Sequence, residues 1–323
     1  MNRNQNPNRD RAAVAAVDLG SESALLLIAR RDETGGVEVL EDHATSARLA
    51  GAVTADGELR EAELERTLEV LETYARRVEL AGVAPSRCRA VGTAAVRALR
   101  DPDALVRLIA ERSGLELEVL SPEAEGRISF AGAVPREDFS NAILIDVGGG
   151  STEVTWDAGR AVVSVPLGAV VATALAEQGN ARDEQDASGL DVVRERFQAA
   201  IGAFDPPALG GCRVVLVGGT ASNLACLVRD AETYDHRLAE GATVTRAAAR
   251  DQATRLSALD SEDRLDLGIE PQRAAILPAG LVCLEQALAW LGAEEAQVTG
   301  RGLRFGLVNE LLDGPSAAIA RQE

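Results

Sequence analysis

The chain of 323 residues contains no lysine: all 33 of its basic residues are arginine, set against 51 Asp and Glu for a formal net charge of −18. Each basic site therefore carries a planar fork suited to phosphate oxygens, although a GC-rich coding bias accounts for the exchange as readily as function does. An acidic field of this size repels nucleic acid and anionic membrane, so neither is expected as a partner and any anionic ligand must be held by a local site. Aromatics make up only 3% of the chain and histidine is reduced to His43 and His236. The four cysteines, Cys88, Cys212, Cys226 and Cys283, show no CxxC spacing, which speaks against a zinc site or disulfide framework and for buried reduced thiols. No apolar run approaches the roughly 18 uncharged residues that cross a bilayer. The segment Met1 to Arg9 is polar and lacks the apolar stretch of a signal peptide, so it reads as a disordered tail and the protein as cytoplasmic.

What the chain has in quantity is apolar side chain, 46% of the total, enough for two cores at roughly 150 residues per domain. A pattern occurs twice. Asp18-Leu19-Gly20-Ser21-Glu22-Ser23 follows the apolar run Ala12 to Val17, and Asp146-Val147-Gly148-Gly149-Gly150-Ser151-Thr152-Glu153 follows Ala142 to Ile145. Each reads as a buried strand, an acid at its tip, a Gly/Ser turn and a second strand. The 128 residues between the two acids fit one kind of domain occurring twice.

The remaining pattern agrees with that division. Val37 to Leu40 is a strand reached through the hairpin connection Glu33 to Gly36, Glu61 to Leu80 an amphipathic helix, Arg89 to Gly92 a strand, Asp101 to Arg112 a helix and Leu115 to Leu120 a strand. The second half starts again with strands at 142, 154 and 161, then helices at 168–178 and 192–204 with a polar loop, Gly179 to Ser188, between them. A strand over Arg213 to Val217 leads into a helix at 221. Helices are expected over Thr243 to Leu259 and Pro271 to Leu291, a strand over Glu295 to Thr299 and a closing helix over Leu303 to Leu312. The fold class is therefore α/β, with mixed sheets flanked by helices. The domains are expected at 12–138 and 139–323, the closing helix being free to pack back on the first.

Chemistry concentrates at the turns. Glycines let backbone N–H groups approach phosphate oxygens, and hydroxyls add short hydrogen bonds. A carboxylate at the same place does not bind phosphate; it holds a cation or orients a water, and Mg²⁺ shared with phosphate is the usual arrangement. The plain alternative is a tight hairpin without a ligand, but a two-residue Asn-Gly turn would serve that better than Gly148 to Thr152. Gly218-Gly219-Thr220, between strand and helix, is a third candidate anion site, with Thr220 and Ser222 serving equally as helix caps. Thr93 and Arg97 follow another strand, where Arg97 is either a bidentate phosphate clamp or a salt-bridged surface residue. Ser121 to Arg127 opens a helix in which Glu123 has a dipole role. Glu125 beside Gly126 is a candidate general base for water.

Together these residues resemble the exopolyphosphatase and guanosine pentaphosphate phosphohydrolase family, within the actin-like, sugar-kinase and Hsp70 ATPase superfamily. The resemblance runs from about Ala13 to Leu312 through Asp18 to Ser23, Val91 to Arg97, Leu120 to Arg127, Ile145 to Glu153, Val165 to Ala169, Val217 to Ala221 and Gly300 to Arg304. It implies two actin-like domains around an interdomain cleft, and release of terminal phosphate from polyphosphate or a guanosine polyphosphate with Mg²⁺ or Mn²⁺. By the same resemblance Glu125 is the base, Asp146 and Glu153 are catalytic, and Asp18, Asp146 and Glu153 are metal-holding groups. Ser21, Glu22, Ser23, Thr93, Arg97, Gly148, Gly149, Gly150, Ser151, Thr152, Gly218, Gly219 and Thr220 bind substrate.

Three departures qualify it. Glu22 stands where the family usually has Asn, placing a negative charge beside the expected anion; Val171 and Phe305 replace residues that are often Arg and Glu; and no further helical domain follows Leu312, which favours short polyphosphate or a nucleotide over long polymer. Two other functions compete: a sensor of phosphate or nucleotide that has lost catalysis, which Glu22 would suit, and an ATP-dependent kinase or ATPase. A homodimer is left open.

Overall fold

Strand β1 (Val14–Leu19) is buried at every position, and its antiparallel neighbour β2 (Ser23–Arg31) nearly so, because both lie at the centre of a sheet covered on its faces. The computed structural model of the chain describes residues 12–54, 56–180 and 188–314. The tail expected over Met1 to Arg9 and most of the polar loop expected over Gly179 to Ser188 lie outside them. The chain divides into two units, one containing the described residues up to Ser121 together with those from Leu303 onward, the other Pro122–Gly302.

In the first unit the sheet order is β3-β2-β1-β4-β5, with β3 at Val37–Ser46, β4 at Cys88–Gly92 and β5 at Leu117–Val119. The first three strands form an antiparallel meander, while β4 and β5 run parallel to β1. Strand β3 is longer than the Val37 to Leu40 that alternation suggested, since pairing with β2 carries it to Ser46. After the short α1 (Leu49–Ala52) comes α2 (Glu61–Leu80), which buries Leu68, Leu71, Tyr74 and Val78 at helical spacing and exposes Glu61, Glu65, Glu69 and Glu79. Thr93 precedes α3 (Ala94–Arg97), and Asp101 caps α4 (Pro102–Ser113) by accepting from the Ala104 amide.

The second unit opens with α5 (Pro122–Ala133), which packs on β6 (Ala142–Val147), β7 (Thr152–Trp156) and β8 (Ala161–Val165). Those contacts draw the boundary at 121/122, where strand order alone had suggested 138/139. The sheet order is β10-β11-β9-β6-β7-β8, with β9 at Arg213–Val217, β10 at Thr243–Thr245 and β11 at Glu295–Val298. Helix α6 (Ala169–Asn180) is followed by α7 (Gly189–Ile201), α8 (Gly219–Val228) and the short α9 (His236–Ala239). The helix expected over Thr243 to Leu259 is instead β10 followed by α10 (Arg246–Ser257). Two β-branched threonines pair Thr243 to Thr245 with β11, and Thr245 then caps the helix. After α11 (Ser261–Leu265), α12 (Leu277–Leu291) begins six residues later than the expected Pro271, and it is buried on nearly all sides as the central helix of this core.

Helix α13 (Leu303–Asp313) returns to the first unit, where it packs on β1 and β2. Ion pairs from Arg31 to Asp313, from Arg89 to Glu310 at 2.5 Å and from Arg304 to Asp42 at 3.0 Å fasten it there. Cys226 and Cys283 are buried and Cys88 and Cys212 half-buried, all four free; burial pushes the Cys88 thiol up to about 11 and Cys283 higher still. Among the described residues no helix is long and apolar enough to cross a membrane.

Candidate active site

The sequence repeat is a structural repeat. Asp18 pairs with Leu25 on β2 and Val91 on β4; Asp146 pairs with Glu153 on β7 and Val217 on β9. In each unit the acid sits near the end of the strand between its antiparallel and parallel neighbours. The two turns close with the same bond, Gly20 N–H to the Ser23 carbonyl and Gly148 N–H to the Ser151 carbonyl, both 3.0 Å. Each is braced by the helix after the third strand: the Ala50 amide donates to the Ser21 carbonyl at 2.9 Å and the Val170 amide to that of Gly149, also at 2.9 Å. Thr152 completes the second brace by donating its hydroxyl to the Leu167 carbonyl at 2.8 Å.

At the first turn, Asp18, Ser21, Ser23 and Thr93 are buried, and the Ser23 hydroxyl has no hydrogen-bond partner among the described residues. Glu22 accepts from Ser46 at 3.1 Å and lies 3.6 Å from the Arg48 guanidinium, with its side chain 11% exposed and that of Arg48 54%. Arg48 holds a left-handed backbone (φ 54°), unusual outside glycine, where the chain bends into α1. The charge that the sequence set beside an anion is thus countered by a cation of its own unit. Thr93 donates its amide to the Leu19 carbonyl, tying β4 to β1 just behind the turn. Arg97 does not stand as an uncommitted clamp: one guanidinium nitrogen donates to the Leu120 carbonyl at 2.8 Å.

The second turn collects more chemistry. Asp146 accepts from the Ser129 hydroxyl at 2.8 Å, and desolvation raises its carboxyl above the usual range, opposed by that bond and by the Arg273 charge. Glu153 is buried opposite Asp146 on the neighbouring strand and accepts from Ser164 at 2.7 Å. Desolvation, with the Glu125 charge next, pushes its carboxyl up to about 8, against the Ser151 and Ser164 hydrogen bonds. Glu125, half-buried in the first turn of α5, is therefore within electrostatic reach of Glu153. Gly126 explains how: a Cβ there would lie 2.7 Å from Thr155 Oγ1 and 2.8 Å from a Val162 methyl carbon, so only a bare backbone lets α5 settle this close to the sheet. Gly148, Gly149 and Gly150 are half-exposed, and Ser151 and Thr152 buried.

Arg273 was not legible beforehand. Its guanidinium lies against the backbone of Gly219, where an added Cβ would fall 2.5 Å from the guanidinium carbon, and its Nε is buried without a hydrogen-bond partner among the described residues. Asn223 holds it there. The Asn223 amide donates to the Gly219 carbonyl at 2.9 Å, its oxygen accepts the Glu270 amide at 3.1 Å, and the Glu270 carbonyl accepts the Arg273 amide at 2.7 Å. Gly218, at φ 91°, lies where a Cβ would be 3.1 Å from Asp146 Oδ1, which brings this turn to the Asp146 carboxylate; Thr220 is buried behind it. The bare Gly219 was the only sequence sign that something must pass close to that turn. Among the described residues no group of three or more His, Cys, Asp or Glu could hold a metal ion. Asp146 beside the glycine turn fits the lesser demand of one carboxylate shared with a phosphate.

Comparison with known proteins identifies the family and the fold. The model of the Ppx/GppA phosphatase family matches residues 27–314. Guanosine-5'-triphosphate,3'-diphosphate pyrophosphatases of Photobacterium profundum and Pseudoalteromonas atlantica are 28% and 27% identical over 314 residues, covering 92% and 95% of this chain. The matches take in 59% and 60% of those proteins, so the chain spans about three-fifths of the curated relatives' length. The solved Aquifex aeolicus family member superposes with a TM-score of 0.74 at 26% identity, covering 97% of this chain and 99% of that one. An exopolyphosphatase from Cytophaga hutchinsonii gives 0.76 at 20% identity, covering 94% and 98%, a likeness of fold. The expected α/β fold of two mixed sheets is the fold of these structures.

Proposed function

Because the chain belongs to the Ppx/GppA phosphatase family, we propose that it hydrolyses a terminal phosphoanhydride and releases inorganic phosphate. The observation that carries the reading is the cluster at the second turn: Glu125, Asp146 and Glu153 beside Gly148 to Ser151, with Arg273 over Gly219. Glu125 is the general base. It takes a proton from a water whose oxygen attacks the terminal phosphorus; the bridging P–O bond breaks and its electron pair leaves with the penultimate phosphate. Glu153, whose carboxyl is raised by burial and by the Glu125 charge, places less negative charge beside an anionic substrate than a solvated carboxylate would. The unspent Nε of Arg273 and the backbone of the glycine turns provide the donors for phosphate oxygens. Mg²⁺ or Mn²⁺, held by Asp146 together with substrate phosphate, would offset the charge of the phosphate chain.

Among substrates, a guanosine polyphosphate is favoured, because the curated relatives are named for that class. Short polyphosphate is the second choice, on the family match alone. The test is phosphate release from guanosine pentaphosphate, short and long polyphosphate and ATP, by wild type and Glu125→Gln, with and without divalent cation. Release from the guanosine substrate that fails in Glu125→Gln is expected. Binding without release from any anhydride would establish the sensor instead, and unchanged turnover in Glu125→Gln would remove Glu125 as the base.

A further inference from the structure

Helix α5 carries Glu125 on a half-buried first turn, where nothing in propensity fixes the direction in which it enters. Two contacts seat the helix. The first is the Gly126 approach to Thr155 and Val162. The second comes one helical turn beyond Glu125, on the same face: Ser129 is fully buried, and its hydroxyl donates to Asp146 Oδ2 at 2.8 Å. A serine inside a helix commonly spends its hydroxyl on a carbonyl of its own preceding turn. Here it reaches across to the strand that ends in the Gly148 to Ser151 turn.

We propose that Ser129 is a positioning residue for the hydrolysis: its bond to Asp146 locks α5, and so Glu125, to the strand that presents the phosphate turn. The bond acts at both ends. It occupies Asp146 Oδ2, so the carboxylate is turned with Oδ1 towards Gly218, 3.1 Å from the Cβ position there. It also fixes the height of α5 along β6, which sets where the carboxylate one turn earlier meets a water. The role rests on Glu125 being the base.

The test is a double-mutant cycle with Ser129→Ala and Glu125→Gln, read as kcat and KM on the anhydride that the phosphate-release assay identifies. Ser129→Ala is expected to lower kcat about tenfold with KM changed less than about threefold, as for an interaction that aligns the base without binding the ground state. In the Glu125→Gln background the same change is expected to matter less than about twofold. An equal loss of kcat in both backgrounds, or a raised KM with kcat unchanged, overturns the proposal. Should Ser129→Ala fail to fold, Ser129→Cys, of similar size and with a weaker donor, takes its place and is expected to keep an intermediate kcat. Failure of the hydrolase reading shows separately, as a wild type that releases no phosphate. Hydrogen exchange then decides the seating: faster exchange of the α5 amides in Ser129→Ala supports it, and unchanged exchange overturns it.

Discussion

The two acid-tipped turns share a register, a closing hydrogen bond and a helix brace, yet they differ in what stands opposite the acid. Across the strand from Asp18 is Leu25; across from Asp146 is Glu153. The first arrangement buries one carboxylate against an apolar neighbour, whereas the second places two together and lets a third, Glu125, raise the proton affinity of Glu153. At the turn tip the difference reverses. Glu22 adds charge to the first turn and is answered by Arg48, while the matching Gly150 leaves the second turn bare. The same backbone device therefore serves two electrostatic settings, and it is the second that gathers Glu125, Asp146 and Glu153.

The largest effect should come from deepening that contrast. Glu125→Gln is expected to lower kcat by about 10²- to 10⁴-fold, as loss of a general base does, with KM little changed; rapid-quench phosphate release would check it, and a loss under tenfold would place the base elsewhere. Gly126→Ala should come next. Its methyl would press on Thr155 and Val162, costing about 1–3 kcal/mol of stability in a chemical denaturation curve, whereas a neutral result would mean α5 can shift without cost.

A third expectation concerns proton linkage. The Glu153 carboxyl is raised from 4.5 to about 8 in the folded protein, so its contribution to stability is fully present below the unfolded value and is lost as pH rises through that interval. At about 1.4 kcal/mol per unit, the loss by pH 8 is on the order of 4 kcal/mol, an upper figure because its neighbours adjust. Melting temperature against pH should accordingly fall more steeply in wild type than in Glu153→Gln; parallel profiles would show Glu153 ionised throughout. The smallest effect is expected from Glu22→Asn. With Glu22 already paired to a mostly exposed Arg48, its removal should alter stability by less than about 1 kcal/mol and shift KM less than threefold. A tenfold tightening would show that its charge opposes the substrate after all.

Much of the fold could be read locally. The apolar runs before Asp18 and Asp146, the Gly/Ser turns and the periodicity of Glu61 to Leu80 each encode their element within a few residues, so β1, β6 and α2 followed from spacing. Thr243 to Thr245 did not, because its strand exists only through pairing with β11, about fifty residues later in the chain. The start of α12 was misplaced for a related reason: residues 270–276 are held by tertiary bonds to Asn223 and by local turns, not by helical pattern.

The candidate site divides along the same line. Sequence by itself determined the repeat, the acids at the strand tips and the bare turns after them, since glycine, serine and aspartate there answer to backbone geometry that is local. Tertiary structure alone decided that Arg273 lies over Gly219, that Glu22 is met by Arg48, that Ser129 reaches Asp146 and that burial raises the Glu153 carboxyl. Burial and charge depend on distances through space, and those are settled only when residues far apart along the chain close around one another.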